Sequence, residues 1–86
     1  MKVAGYEIKR KEAYKTAETY DNGVAMGIHP SLNCPARFAT WEYTENHETG
    51  VFSAFWGHYF DNEIEAYKDY YNRLANNYDR PWEEVN

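Results

Sequence analysis

Hydrophobic and polar positions follow two periods along this chain, and the longest ordered pattern lies in Phe60–Tyr78, FDNEIEAYKDYYNRLANNY. Ile64, Tyr67, Tyr71, Leu74 and Tyr78 recur at steps of three and four, which draws an apolar stripe down an α-helix of about five turns. Tyr70 and Ala75 widen the stripe, while Glu63, Glu65, Lys68, Asp69, Asn72 and Arg73 are expected off it. Asp61 or Asn62 offers a side-chain oxygen to the first free amides, and Glu63 and Glu65 suit the positive end of the helix dipole. Asn76-Asn77 is the expected exit, because Asn tolerates the left-handed conformation.

The preceding residues switch toward a period of two. Tyr6-Glu7-Ile8 alternates as a short strand, and Lys9-Arg10-Lys11 reads as a solvated turn or edge. Asp21-Asn22-Gly23 stands between two strand-like runs, and Asn-Gly accepts positive φ in a type I′ turn. A hairpin is therefore expected with strands near Tyr14–Tyr20 and Val24–Ile28. The two prolines of His29–Ala36 mark a loop. Phe38–Thr44 and Val51–Phe60 read as two further strands around the polar connection Glu45–Gly50. Strict alternation in the second puts Phe52, Ala54, Trp56, His58 and Phe60 on one face and Val51, Ser53, Phe55, Gly57 and Tyr59 on the other. Large apolar groups on both faces suggest a central strand, and Gly57 suggests a bulge or a close backbone approach. In the tail, Pro81 stops the helix and Trp82 is expected either to fold back over the sheet–helix seam or to serve as a binding anchor.

The expected architecture is α+β: one domain over residues 1–86, an antiparallel meander of three to four strands, and one C-terminal amphipathic helix packed on one face. The element order from Phe38 to Tyr78 resembles the later part of a double-stranded-RNA-binding domain. Those domains carry a Lys-rich helix start, whereas this chain has Asp61, Glu63 and Glu65 there. The likeness thus argues against RNA binding.

Composition sharpens this picture. A chain of 86 residues buries only about 60–65% of its unfolded surface, so bulky side chains must supply the core. Aromatics make up 19% of the residues, and Tyr and Trp carry the load that aliphatics usually carry. One helix cannot cover so many rings, which leaves one sheet face expected to stay open. The net charge of −5 is uneven: residues 1–20 hold five Lys/Arg against three Glu, and residues 42–86 hold three basic against ten acidic side chains. That acidity repels phosphate backbones. Cys34 is the single cysteine, so no internal disulfide or cysteine-built zinc site is available. With no apolar run of signal-peptide or transmembrane length, a cytoplasmic protein is expected.

Candidate chemistry is sparse. His58, beside Tyr59 and ahead of Asp61, is the first place to look for a general base, and Cys34 with His29 or His58 for a thiolate pair. A structural role for His58 and an inert Cys34 are the plainer readings. His29, His47 and His58 sit on different elements without ligand spacing, and the glycines show no phosphate-cradling spacing, so no metal or cofactor is expected. Trp41, Tyr43, Phe55 and Trp56 would form a base-stacking platform, with Arg37 and Lys9–Lys11 gripping phosphate, unless they are the core. Glu63, Glu65, Asp69, Asp79, Glu83 and Glu84 would serve a nucleic-acid mimic.

Trp41-Glu42-Tyr43 and Trp56–Leu74, WGHYFDNEIEAYKDYYNRL, resemble a group of small accessory proteins encoded on conjugative transposons and related mobile elements of Firmicutes bacteria. The resemblance spans roughly residues 38–75. It implies a cytosolic bacterial setting of plasmid or transposon transfer, and it carries over no activity, cofactor or catalytic residue. The leading expectation is a non-enzymatic interaction protein that binds a protein partner or itself as a homodimer. Trp41, Tyr43, Phe55, Trp56, His58 and Trp82 are its candidate contact residues. A nucleic-acid role ranks second, and a hydrolase or transferase using His58 or Cys34 third.

Overall fold

Residues 1–78 are described by the structure, a computed structural model. The chain forms β1 (Lys2–Val3), β2 (Tyr6–Thr16), β3 (Tyr20–Ile28), β4 (Phe38–Asn46), β5 (Phe52–Phe60) and α1 (Glu63–Tyr78). The strands make one antiparallel sheet in the order β1-β2-β3-β4-β5. The meander with a helix on one face is as expected. It has five strands rather than three to four: Lys2–Val3 adds a short β1 against the start of β2, and the basic run Lys9-Arg10-Lys11 is the middle of one long β2 and not a turn.

The hairpin expected around Asp21-Asn22-Gly23 is displaced. The reversal falls at Ala17–Thr19, where the Ala17 amide donates to Tyr20 O, and Asp21, Asn22 and Gly23 lie inside β3. Gly23 is needed there for space rather than for its φ. A Cβ would press on Glu12 O and come within 2.6 Å of the Tyr43 ring, which lies across this position. Positive φ at two successive turn residues occurs instead at Ala4-Gly5, at φ 51° and 87°, which joins Val3 to its partner Tyr6 as a two-residue hairpin loop.

Asn62 caps the helix, its Oδ1 accepting from the amides of Ile64 (2.8 Å) and Glu65 (3.2 Å), an arrangement worth about 1 kcal/mol. The buried face is Ala66, Tyr70, Arg73, Leu74 and Asn77, flanked by Tyr67 and Asp69. The stripe is therefore rotated from the expected one. Ile64, Tyr71 and Ala75 are exposed, while Arg73 and Asn77, placed off the stripe or at the exit, are buried. The reason is that the sheet presents a carboxylate, Glu42, beneath the helix, and a seam holding a buried charge takes polar helix positions inward.

Two apolar clusters sit on the two faces of the sheet. Val24 and Met26 pack with Ala66, Tyr70 and Leu74 on the helix face, joined by Tyr14, Phe38, Phe60 and Tyr67. On the other face Tyr6, Ala25, Ala39, Trp41 and Tyr43 pack with Val3, Ile8, Cys34, Phe52 and Ala54. This second face does not stay open. Tyr6 lies edge-on to Trp41 with centroids 5.5 Å apart, and Phe52 stacks on Tyr43 at 4.8 Å. The Tyr6 hydroxyl donates to Ala36 O at 2.5 Å, tying the 29–37 loop over the cluster. Small residues at Gly23, Ala25, Gly27 and Ala39 let the rings lie close to the backbone. Burial, with the neighbouring Cys34, pushes the Tyr6 phenol up to about 12.

Candidate functional site

β5 is an outer strand, hydrogen-bonded only to β4, and not the central strand its two apolar faces suggested. Its register breaks in the middle: Thr40 pairs with His58 and Glu42 with Phe55, so Trp56 and Gly57 together oppose Trp41. Gly57 marks this bulge as expected. A Cβ on it would meet the Tyr59 hydroxyl at 2.7 Å and Trp41 Nε1 at 2.8 Å, so the backbone lies directly on the Trp41 indole. Trp56 takes φ 57°, a left-handed conformation that costs an ordinary L-residue about 1–2 kcal/mol. The extra residue flips the alternation. Phe52 and Ala54 join the Tyr43 side, whereas His58 pairs across from Thr40 and Phe60 packs on the helix side. The single face expected for Phe52, Ala54, Trp56, His58 and Phe60 is therefore split at the bulge.

Beneath the bulge lies a charged network. The buried Arg73 guanidinium donates from Nη1 to Glu42 Oε2 at 3.3 Å, from Nε to Asp69 Oδ2 at 3.1 Å, and from Nη2 to the Trp56 carbonyl. Tyr14 donates its hydroxyl to Glu42 Oε1 at 2.7 Å, and Thr40 donates to Asp69. Burial by itself would raise the Asp69 pKa. Hydrogen bonds from Thr40, His58 and Arg73, together with the Arg73 charge, outweigh it and hold the carboxyl below its ordinary value. His58 Nδ1 lies 3.0 Å from Asp69 Oδ2, so the carboxylate partner of His58 is Asp69 and not Asp61. An Asp–His pair is the orienting half of a nucleophilic site. Cys34 does not complete it, because its side chain packs in the cluster on the opposite face and its thiol donates to Ala36 O at 3.4 Å.

The candidate contact residues are dispersed. Trp41 and Tyr43 are 3% and 2% exposed, in the cluster opposite the helix. Phe55 is half-buried on the helix side, and its ring meets that of Trp56 edge-on at 5.0 Å. Trp56 is 72% exposed, and His58, two residues later, is also exposed. The four-ring stacking platform is thus not assembled on one surface. Of the carboxylates a mimic would use, Asp69 is engaged by Arg73 and His58. Trp82, Asp79, Glu83 and Glu84 lie outside the described residues.

Sequence reasoning missed Val51 and Tyr59, exposed along the same edge, and the Glu42–Arg73–Asp69 network. A signal for the network was present: Glu42 interrupts an apolar strand between Trp41 and Tyr43, and a carboxylate there demands a cation.

Comparison with family models, with curated proteins and with solved structures found no match. Among the described residues no helix is long and apolar enough to cross a membrane, and no group of three or more His, Cys, Asp or Glu is placed to hold a metal ion.

Proposed function

We propose that this chain is a non-enzymatic interaction module that binds a protein partner, or a second copy of itself, along the β5 edge with Trp56 as the anchor. One observation carries this reading. A tryptophan is held largely exposed in a strained backbone conformation, its carbonyl fastened by a buried arginine. Such strain persists only where the surroundings impose it, and it concentrates at working sites. Trp is also the side chain most enriched among residues that dominate binding energy. The bulge splits the β5 ladder into two short stretches, which blunts strand-to-strand addition and favours docking through the side chain. Val51 before β5 and Tyr59 near its end add partly exposed apolar surface, the Tyr59 ring also packing against Tyr6 and Trp41. A role as a cytoplasmic accessory protein of a mobile genetic element belongs to the same proposal and rests on the sequence resemblance.

The test is light scattering at micromolar concentration together with affinity capture from the native host, using the wild type and Trp56→Ala. Self-association or a captured partner that disappears in the folded variant supports the reading. A strict monomer that captures nothing, or association untouched by the substitution, overturns it.

A further inference from the structure

Toward the β1–β2 edge, away from β5, a cavity of about 390 Å³ is lined by Lys2, Glu7, Lys9, Ile28, Pro30 and Arg37. The register explains the convergence. Lys2 pairs with Glu7 and Glu7 with Ile28, so these three form one row across β1, β2 and β3. Lys9 is the extra residue where the β2–β3 register shifts between Ile8 and Arg10. Arg37 is brought in by the end of the 29–37 loop, where the His29 amide donates to Arg37 O at 2.7 Å and Arg37 Nε donates to His29 O at 3.2 Å. That second bond fixes the guanidinium while leaving its two terminal nitrogens without a hydrogen bond among the described residues.

The charge of this cavity is opposite to that of the chain. Its one carboxylate, Glu7, is paired with the Met1 amine at 3.0 Å, which lowers its pKa. Lys2, Lys9 and Arg37 have no ion-pair partner among the described residues, although the sequence carries 14 Asp and Glu. Lys9 and Lys2 also act on Glu7 beyond ion-pair distance, so this carboxylate offsets part of the charge, and the surplus that remains favours a further anion between the three cations. A doubly charged oxyanion balances such a surplus better than a singly charged one, and a guanidinium edge matches phosphate oxygens two at a time. Ile28 and Pro30 add apolar wall, and the volume falls in the range of small-molecule sites.

We propose that this cavity binds a small organic phosphate ester. Arg37 grips the phosphoryl oxygens with its terminal nitrogens, Lys2 and Lys9 neutralise the remaining charge, and the organic part lies against Ile28 and Pro30.

The experiment is an amide-resolved NMR titration of the full chain at low salt with phenyl phosphate, inorganic phosphate and benzoate at matched ionic strength. Saturable shifts are expected at Lys2, Glu7, Lys9, Ile28 and Arg37, tightest for phenyl phosphate and weakest for benzoate. Arg37→Gln should weaken phenyl phosphate binding roughly tenfold or more. Lys9→Gln, at an exposed position where folding is not at stake, should weaken it several-fold, and Lys68→Gln on the helix should leave it unchanged. Shifts that never saturate, benzoate binding as tightly as phenyl phosphate, or Lys9→Gln retaining full affinity would each overturn the proposal.

Discussion

Arg73 on the helix donates to the backbone carbonyl of Trp56, 17 residues earlier, while the same guanidinium is paired with Glu42 and Asp69. One buried side chain thereby couples the helix seam to the conformation of the exposed β5 bulge. The consequences of that coupling, and of the close contacts around it, can be measured.

Arg73→Met removes the cation and leaves Glu42 and Asp69 at the seam without it. Breaking such a pair from one side costs about 3–5 kcal/mol, because a charge stays buried uncompensated. The double variant Glu42→Gln/Arg73→Met should lose less than the single Arg73→Met, since the more deeply buried of the two stranded charges is gone and Asp69 keeps Thr40 and His58. Urea unfolding of the wild type, both single variants and the double variant reads the difference. A double variant no more stable than Arg73→Met would show that the pair is not the governing interaction.

At position 56 the usual order of Ala and Gly should invert. Within a strand Gly is normally the less stable of the two, but at φ 57° Ala bears the left-handed penalty and Gly does not. Trp56→Gly is expected to be more stable than Trp56→Ala by about 1 kcal/mol in chemical denaturation. If Trp56→Ala proves the more stable protein, the bulge does not hold this conformation in solution.

Gly23→Ala and Gly50→Ala separate two reasons for a glycine. At Gly23 a methyl group collides with Glu12 O and the Tyr43 ring, which predicts a loss of about 3 kcal/mol. At Gly50, with φ 76° and nothing within 4 Å, only the backbone penalty of about 1 kcal/mol applies. Thermal unfolding of the two variants should rank them in that order, and the reverse order would contradict the packing of Tyr43 over β3.

Stability should fall both as pH drops through the lowered Asp69 value and as pH rises through the raised His47 value, for opposite reasons. Asp69 has a folded-state pKa below its ordinary 3.8, so its contribution is present above that value and is lost as pH falls through the lowered one. His47 lies 2.9 Å from the Asp21 carboxylate through Nε2 and 3.2 Å from Glu18 O through Nδ1. Both neighbours accept hydrogen bonds, so the doubly protonated ring satisfies both, and the bond to Asp21, then the one to Glu18, raises its pKa above the ordinary 6.5. Its contribution is present below 6.5 and is lost as pH rises through the raised value. In melting temperatures recorded against pH, Asp69→Asn should flatten the acid limb and His47→Gln the limb that falls as pH rises through the raised His47 value. Unchanged limbs would remove these two groups from the account.

Much of the fold was legible because it rests on local signals. Aromatic and β-branched runs gave β4 and β5, the prolines gave the 29–37 loop, Asn62 gave the cap, and a three-to-four spacing gave the helix. The candidate site was legible only as single residues. Trp41 and Trp56 look alike in sequence, yet one is roofed by Tyr6 and Tyr59 and the other stands in solvent. Asn22-Gly23 carries the strongest turn chemistry in the chain, and it lies in a strand because Tyr43, 20 residues later, needs the space.

Residue order alone, through backbone preferences and hydrophobic period, determined that this protein is an antiparallel meander followed by a capped helix. Those preferences act over a few neighbouring residues, so they are written locally. Tertiary structure decided which face of the helix turns inward, which rings are covered, and where β5 bulges. Each of these depends on a partner far away in sequence: Glu42 calling in Arg73, Tyr43 requiring Gly23, Trp41 lying under Gly57. Burial and charge pairing between distant residues carry no local period, and they appear only once the chain has folded around them.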